Sequence, residues 1–231
     1  MFFHLLLKEM KNMKQNNMKE HLLKMGYDFE EIYENIFLIK NFLTEKDVKP
    51  LWNIINNATQ KDWEEDYRNS QKLLALRKYG RDDIENLIKE GVMEYTYAWA
   101  DKAIAVPEKL VSGLNKRIAK IFSFNKDLFY GKIDTIQRQY EGAELIEHVD
   151  SHGDPYVLYA VIAYLNDDYS NGELFFSQLN LELKPPKNSL IVFPDGEQYV
   201  HGVKAPGAGP LRYVLPTFVR HISNAPQPDQ E

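Results

Sequence analysis

The stretch LIEHVDSH, Leu145 to His152, sets two histidines and two acids in a strand-like run. On a strand, side chains at i and i+2 share a face, about 7 Å apart along the backbone. His148 and Asp150 therefore can converge on one metal ion, which each ligand would hold at about 2 Å. His152 keeps the same phase but lies about 13 Å from His148 at that rise. It also runs into the turn signal GDP, so it is assigned to the rim of the site. The ordinary alternative is a solvated strand face, and the surrounding sequence has to choose.

Around this stretch the chain is rich in short β-type runs. They are KIDTIQRQY, ELIEHV, VLYAVIAYL, ELFF, LELK, SLIVF, YVHGV and RYVLPTFV, all beyond residue 130. Turn residues separate them, in EGAE, HGDP, NDDYSNGE, KPPKN, PDGE and KAPGAGP. Eight short strands at regular spacing predict a β-sandwich, jelly roll or barrel. VLYAVIAYL is apolar at both parities, as a central strand covered on both faces must be.

A metal needs a further ligand. With no cysteine in the chain, thiolate sites, disulfides and Cys nucleophiles are excluded, leaving His and carboxylates. His4 and His21 lie in an N-terminal extension and His221 in the tail, whereas His201 stands in the β-like run YVHGV. Two histidines and one carboxylate match the facial triad of non-haem Fe(II) oxygenases. Zinc accepts the same donors, so the ligand set alone leaves the metal open.

The preceding half reads as mainly helical from about residue 42 to 122. TEKDVKPLWNIINNA opens on Thr44 as an N-cap and spaces Val48, Leu51, Ile54 and Ile55 along one face. PEKLVSGLNKRIAKIF begins with Pro107 in the first turn and aligns Leu110, Val111, Leu114, Ile118 and Ile121. QKDWEEDYRNSQK between them lacks a clean period and reads as a loop able to cover a site. Residues 1–25 read as a peripheral helical extension without a signal-peptide pattern. Met10, Met13, Met18 and Met25 offer later starts as the alternative. Residues 26–231 then form one domain, with a β core over about 130–221. No run approaches the roughly 18 apolar residues that span a bilayer, so no membrane partner and a cytoplasmic setting are expected. The net charge of −6 gives no basic footprint for nucleic acid.

From about Ile133 to Arg220 the sequence resembles the iron(II)- and 2-oxoglutarate-dependent dioxygenases, in their prolyl-4-hydroxylase-like branch. RQYEGAELIEHVD, IAYLND, NGELFF and HGVKAPGAGPLRY occur in that family's order. Arg212 follows His201 by eleven positions, within the family's habit. Asn171–Gly172 replaces the usual Gly pair, a mild departure. IYENIFLIKNFLTEKDV is loosely similar to the family's first strand and helix.

The resemblance implies an α+β protein: a double-stranded β-helix (jelly roll, cupin-like) with N-terminal helices packed on it. It implies that His148, Asp150 and His201 hold Fe(II), and that 2-oxoglutarate and O2 are cosubstrates, with room for ascorbate as a reductant. Arg212 would anchor the far carboxylate of 2-oxoglutarate, which needs a charged partner once removed from water. Without the family order, Arg212 could equally face outward on an edge strand. Tyr164 matches a position that helps hold that carboxylate and Tyr140 one that lines the pocket, although both could be core aromatics. The implied reaction hydroxylates an unactivated C–H bond with release of succinate and CO2. A protein or peptide substrate, a peptidyl proline foremost, is expected, and a free amino acid or small metabolite is the alternative. A non-catalytic metal-binding cupin is a third reading, against which Arg212 discriminates. The chain's own tail, APQPDQE at residues 225–231, is itself Pro-bearing.

Overall fold

The computed structural model describes residues 18–63, 75, 79–81, 83–92, 102–152 and 156–221. Two antiparallel sheets face each other. The larger runs in the order β1 (Phe29–Tyr33), β2 (Ile36–Ile39), β10 (Leu190–Pro194), β7 (Val157–Tyr164), β12 (Arg212–His221), β5 (Thr135–Gln139) and β3 (Lys102–Ala105). β4 (Leu128–Tyr130) pairs with the far end of β12. The smaller sheet is β6 (Leu145–His148), β11 (His201–Val203), β8 (Leu174–Phe176) and β9 (Leu181–Leu183). From β5 onward the chain switches between the two sheets, which is the double-stranded β-helix expected from the sequence.

The two-residue period of the strands divides the core in two. Along β10, Ile191 and Phe193 point between the sheets, where they meet Tyr164, Leu174, Phe176 and Val214. Leu190 and Val192 point the other way and pack with Phe37, Ile39, Val161, Ala163 and Leu215 against the helices. β7 and β10 are thus covered on both faces, which explains their unbroken apolar sequence. Each fully buried side chain of this size contributes about 1.5–3 kcal/mol over leaving it exposed.

Helices accompany the sheets, among them α1 (residues 18–25), α2 (Glu45–Asn57), α3 (Ile84–Lys89) and α4 (Glu108–Ile121). Thr44 caps α2, its N–H and hydroxyl both donating to Asp47 Oδ2 at 2.7 and 2.6 Å. Arg117 of α4 donates to the same oxygen at 2.6 Å and so ties α2 to α4. Burial would raise the Asp47 pKa, but these hydrogen bonds and the Arg117 charge bring it below the usual carboxylate value. Trp52 and Trp63 then seat on the outward-facing Tyr213 ring, at 5.4 and 6.2 Å between centroids.

The structure departs from the sequence reading in several places. β3 interrupts the stretch read as helical; it has four residues, too few to show a period, and is fixed by pairing Ile104 with Ile136. Pro107 stands one residue before α4, as its N-cap. Residues 60–63 of the expected covering loop are helical and Trp63 is buried; the remainder, 64–72, lies outside the described residues. The same holds for 153–155 of HGDP and for the tail 225–231. The described part of the N-terminal extension is not peripheral, because Met18 and Leu22 are buried in the outer core. No helix among the described residues is long and apolar enough to cross a membrane.

Candidate active site

β6 and β11 are neighbours, and their register places His148 directly across from His201. β6 ends at His148, and Asp150 opens a 3₁₀ turn, Asp150–His152. The pleat of a continuous strand therefore does not align His148 with Asp150, as the sequence reading supposed; a turn swings Asp150 back toward the histidine pair. His152 closes that turn. One ligand atom from each of His148, Asp150 and His201 lies within 4.8 Å of the other two.

The ring tautomers are fixed by the backbone. His148 Nδ1 lies 2.9 Å from the Ile146 carbonyl and His201 Nδ1 lies 3.1 Å from the Tyr199 carbonyl. A carbonyl only accepts, so both Nδ1 atoms must carry the proton, and both Nε2 lone pairs are available for a metal. These Nε2 atoms approach Asp150 at 3.4 Å (Oδ1) and 3.8 Å (Oδ2). Asp150 Oδ2 is buried with no hydrogen-bond partner among the described residues. Two nitrogen lone pairs and an unsatisfied carboxylate oxygen, all facing one point, fit a cation.

Burial pulls the His201 imidazole down to about 4, against the opposing charge of Asp150. Burial also acts to lower His148, but the hydrogen bond its protonated ring donates to Asp150, the Ile146 carbonyl and the charges of Asp150 and Asp195 together leave it above its ordinary value. Phe193 and Phe176 flank His201, with centroids 4.7 and 5.8 Å away, and supply the apolar wall that keeps it neutral.

Arg212 begins β12 and is 3% exposed. Its Nη1 donates to Gln139 Oε1 at 2.5 Å and its Nη2 to the Tyr164 hydroxyl at 2.9 Å. Gln139 and Tyr164 are both neutral, and between them they orient the guanidinium plane. Tyr164 accepts from Arg212, which leaves its own O–H proton to donate. Tyr169 is also buried, its hydroxyl has no hydrogen-bond partner among the described residues, and Arg212 lies beside it. Tyr140 sits differently. Its ring lies 4.9 Å from the guanidinium of Arg138, which also covers Trp63 at 4.1 Å.

Gln139, Tyr169 and Asp195 were not legible as site residues. Gln139 faces Arg212 only through the β5–β12 register. Tyr169 and Asp195 lie in segments whose sequence signals nothing beyond a turn.

Residues 135–220 match the 2OG-Fe(II) oxygenase superfamily. No curated protein shows significant sequence similarity to the chain. Among solved structures, a prolyl hydroxylase from Trichoplax adhaerens, in complex with a hypoxia inducible factor oxygen degradation domain peptide fragment, superposes with a TM-score of 0.58. It is 15% identical over 96% of this chain and 97% of that one. The viral collagen prolyl hydroxylase of Paramecium Bursaria Chlorella virus-1, in its 2OG complex, gives 0.53 at 15% identity, covering 81% of this chain and 96% of that one. A Pseudomonas putida prolyl-4-hydroxylase gives 0.51 at 16%, covering 81% and 92%. At such identities the likeness is one of fold.

The fold, the metal-ready triad and the match over residues 135–220 are all of the kind that iron(II)- and 2-oxoglutarate-dependent dioxygenases have. Its β-helix is the fold seen in the solved prolyl hydroxylases, and the segment that matches the oxygenase superfamily contains all of the strands from β5 to β11.

Proposed function

We propose that the chain is a peptidyl prolyl 4-hydroxylase, with residues 26–231 as its catalytic domain and residues 1–25 as a helical extension. The observation that carries the reading is the shared barrel interior of the His148–Asp150–His201 cluster and the buried Arg212 held by Gln139 and Tyr164. The fold likeness to a peptide-bound prolyl hydroxylase over nearly the whole chain supports a peptide substrate.

In this reading His148, Asp150 and His201 hold Fe(II) through both Nε2 atoms and the Asp150 carboxylate. Bound Fe(II) supplies the oxidising chemistry, in which O2 and 2-oxoglutarate become succinate and CO2 as a C–H bond is hydroxylated. Arg212 binds the far carboxylate of 2-oxoglutarate, where a charge-assisted pair is strong because water is excluded. Tyr164 and Tyr169 add hydroxyl donors to that carboxylate, and Gln139 fixes the guanidinium plane. Tyr140 stands at the pocket wall, held by Arg138. The apolar lining from Phe176, Phe193 and Val214 keeps the reacting centre dry.

The test is incubation with Fe(II), 2-oxoglutarate, ascorbate and air, using Pro-rich peptides and the chain's own 225–231 tail. Mass spectrometry should find one added oxygen on proline, matched by succinate release. Oxidation of a free amino acid with every peptide untouched would overturn the prolyl reading and leave the dioxygenase standing.

A further inference from the structure

Asp195 follows β10 directly and is 4% exposed. Its backbone is fixed to the larger sheet, since its N–H donates to the Leu158 carbonyl at 3.0 Å. Its side chain reaches the other sheet's territory: Oδ1 accepts the backbone N–H of Ser151 at 3.1 Å. Ser151 is the residue after Asp150, in the turn that hangs from the end of β6. The first N–H groups of a helical turn have no partner inside it, so an acceptor placed there sets where the turn lies. A carboxylate buried for this purpose is costly unless hydrogen-bonded, and here the hydrogen bond falls one residue from a metal ligand.

We propose that Asp195 is a positioning residue: by accepting from Ser151 N–H across the mouth of the barrel, it aims the Asp150 carboxylate at the ion. The inference rests on the reading of His148, Asp150 and His201 as the Fe(II) ligands. Asp195 is not one of them; it acts through the backbone of the turn. It is the acceptor oxygen at that place that aims the turn, whereas the negative charge acts separately, on His148.

Two substitutions separate these. Asp195→Asn keeps an oxygen at Oδ1 and loses the charge. Asp195→Glu keeps the charge and displaces the oxygen. Mn(II), as an air-stable stand-in for Fe(II), is titrated calorimetrically into the metal-free full chain, so that no turnover is needed. Asp195→Asn should stay close to the wild type in Mn(II) affinity, short only of the charge that acts on His148. Asp195→Glu and Asp195→Ala should bind about 10–100-fold more weakly, the usual loss when an outer contact to a ligand is removed. Saturating Fe(II) should then restore the turnover rate of Asp195→Glu, which a general folding defect would not allow. Should Asp195→Ala fail to fold, the Asn and Glu variants decide alone. Native affinity in Asp195→Glu, or a loss in Asp195→Asn equal to that in Glu, overturns the proposal. A wild type that binds no Mn(II), or a His148→Ala variant that binds as well as wild type, overturns instead the ligand assignment beneath it.

Discussion

His201 is neutral because of where it sits. Burial holds its imidazole at about 4, so it offers Nε2 to a cation without first giving up a proton. An unfolded histidine takes up a proton near about 6.5. Between that value and about 4 the unfolded chain therefore binds more protons than the folded one at this position, and stability falls as pH drops through the window. His148 is raised, so its contribution has the opposite sign: it is present below the ordinary value and lost as pH rises through its own. Denaturant unfolding of the metal-free wild type and His201→Leu should thus show the variant gaining relative stability from about pH 6.5 to about pH 4. Parallel curves would mean that His201 is not held neutral. Tyr169 makes a separate prediction. A hydrogen bond to a charged group is worth about 1.5–3 kcal/mol, so Tyr169→Phe should raise the 2-oxoglutarate KM about 10–100-fold and leave Mn(II) affinity unchanged. An unchanged KM would remove Tyr169 from the cosubstrate pocket.

At the scale of elements, the site depends on how closely β11 fits between β6 and β8. A Cβ on Gly202 would stand 2.6 Å from the Leu145 carbonyl oxygen and 2.7 Å from Phe175 Cζ. Neither contact is tolerable, and the first is with backbone, so Gly202→Ala must push the strands apart. It should cost about 1–3 kcal/mol of stability in urea unfolding and weaken Mn(II) binding, because the separation falls between His148 and His201. Retention of both properties would show that β6 moves without affecting the metal site. The eight core strands themselves were legible, since each run from KIDTIQRQY to RYVLPTFV became one strand, β5 to β12. What sequence could not show is pairing at a distance. Gln139 meets Arg212 across 73 positions and Asp195 meets Ser151 across 44, and no periodicity encodes either. Asp150 was found for a partly wrong reason: the strand period that singled it out stops two residues before it, and a turn does the aiming.

Across the whole molecule, the helices press on one face of the larger sheet while the smaller sheet covers the other, so the site lies in the inner of two cores. The outer core includes Leu22, which is fully buried although it lies in the stretch read from the sequence as an N-terminal extension. Leu22→Ala should cost about 2–5 kcal/mol, and a chain begun at Met25 should melt well below the full one; equal melting would show the extension to be dispensable. The central claim concerns the inner core, where the triad and Arg212 must act on the same small molecule. Its most direct test is the affinity of metal-loaded protein for 2-oxoglutarate, compared between wild type and Arg212→Ala. Removing one partner of a buried charged pair costs about 3–5 kcal/mol, a loss of more than about 100-fold in affinity, with metal content unchanged. Arg212→Lys should lose less, since it keeps the charge and gives up only the two-pronged donor. An Arg212→Ala protein that binds and turns over 2-oxoglutarate as the wild type does would contradict the account.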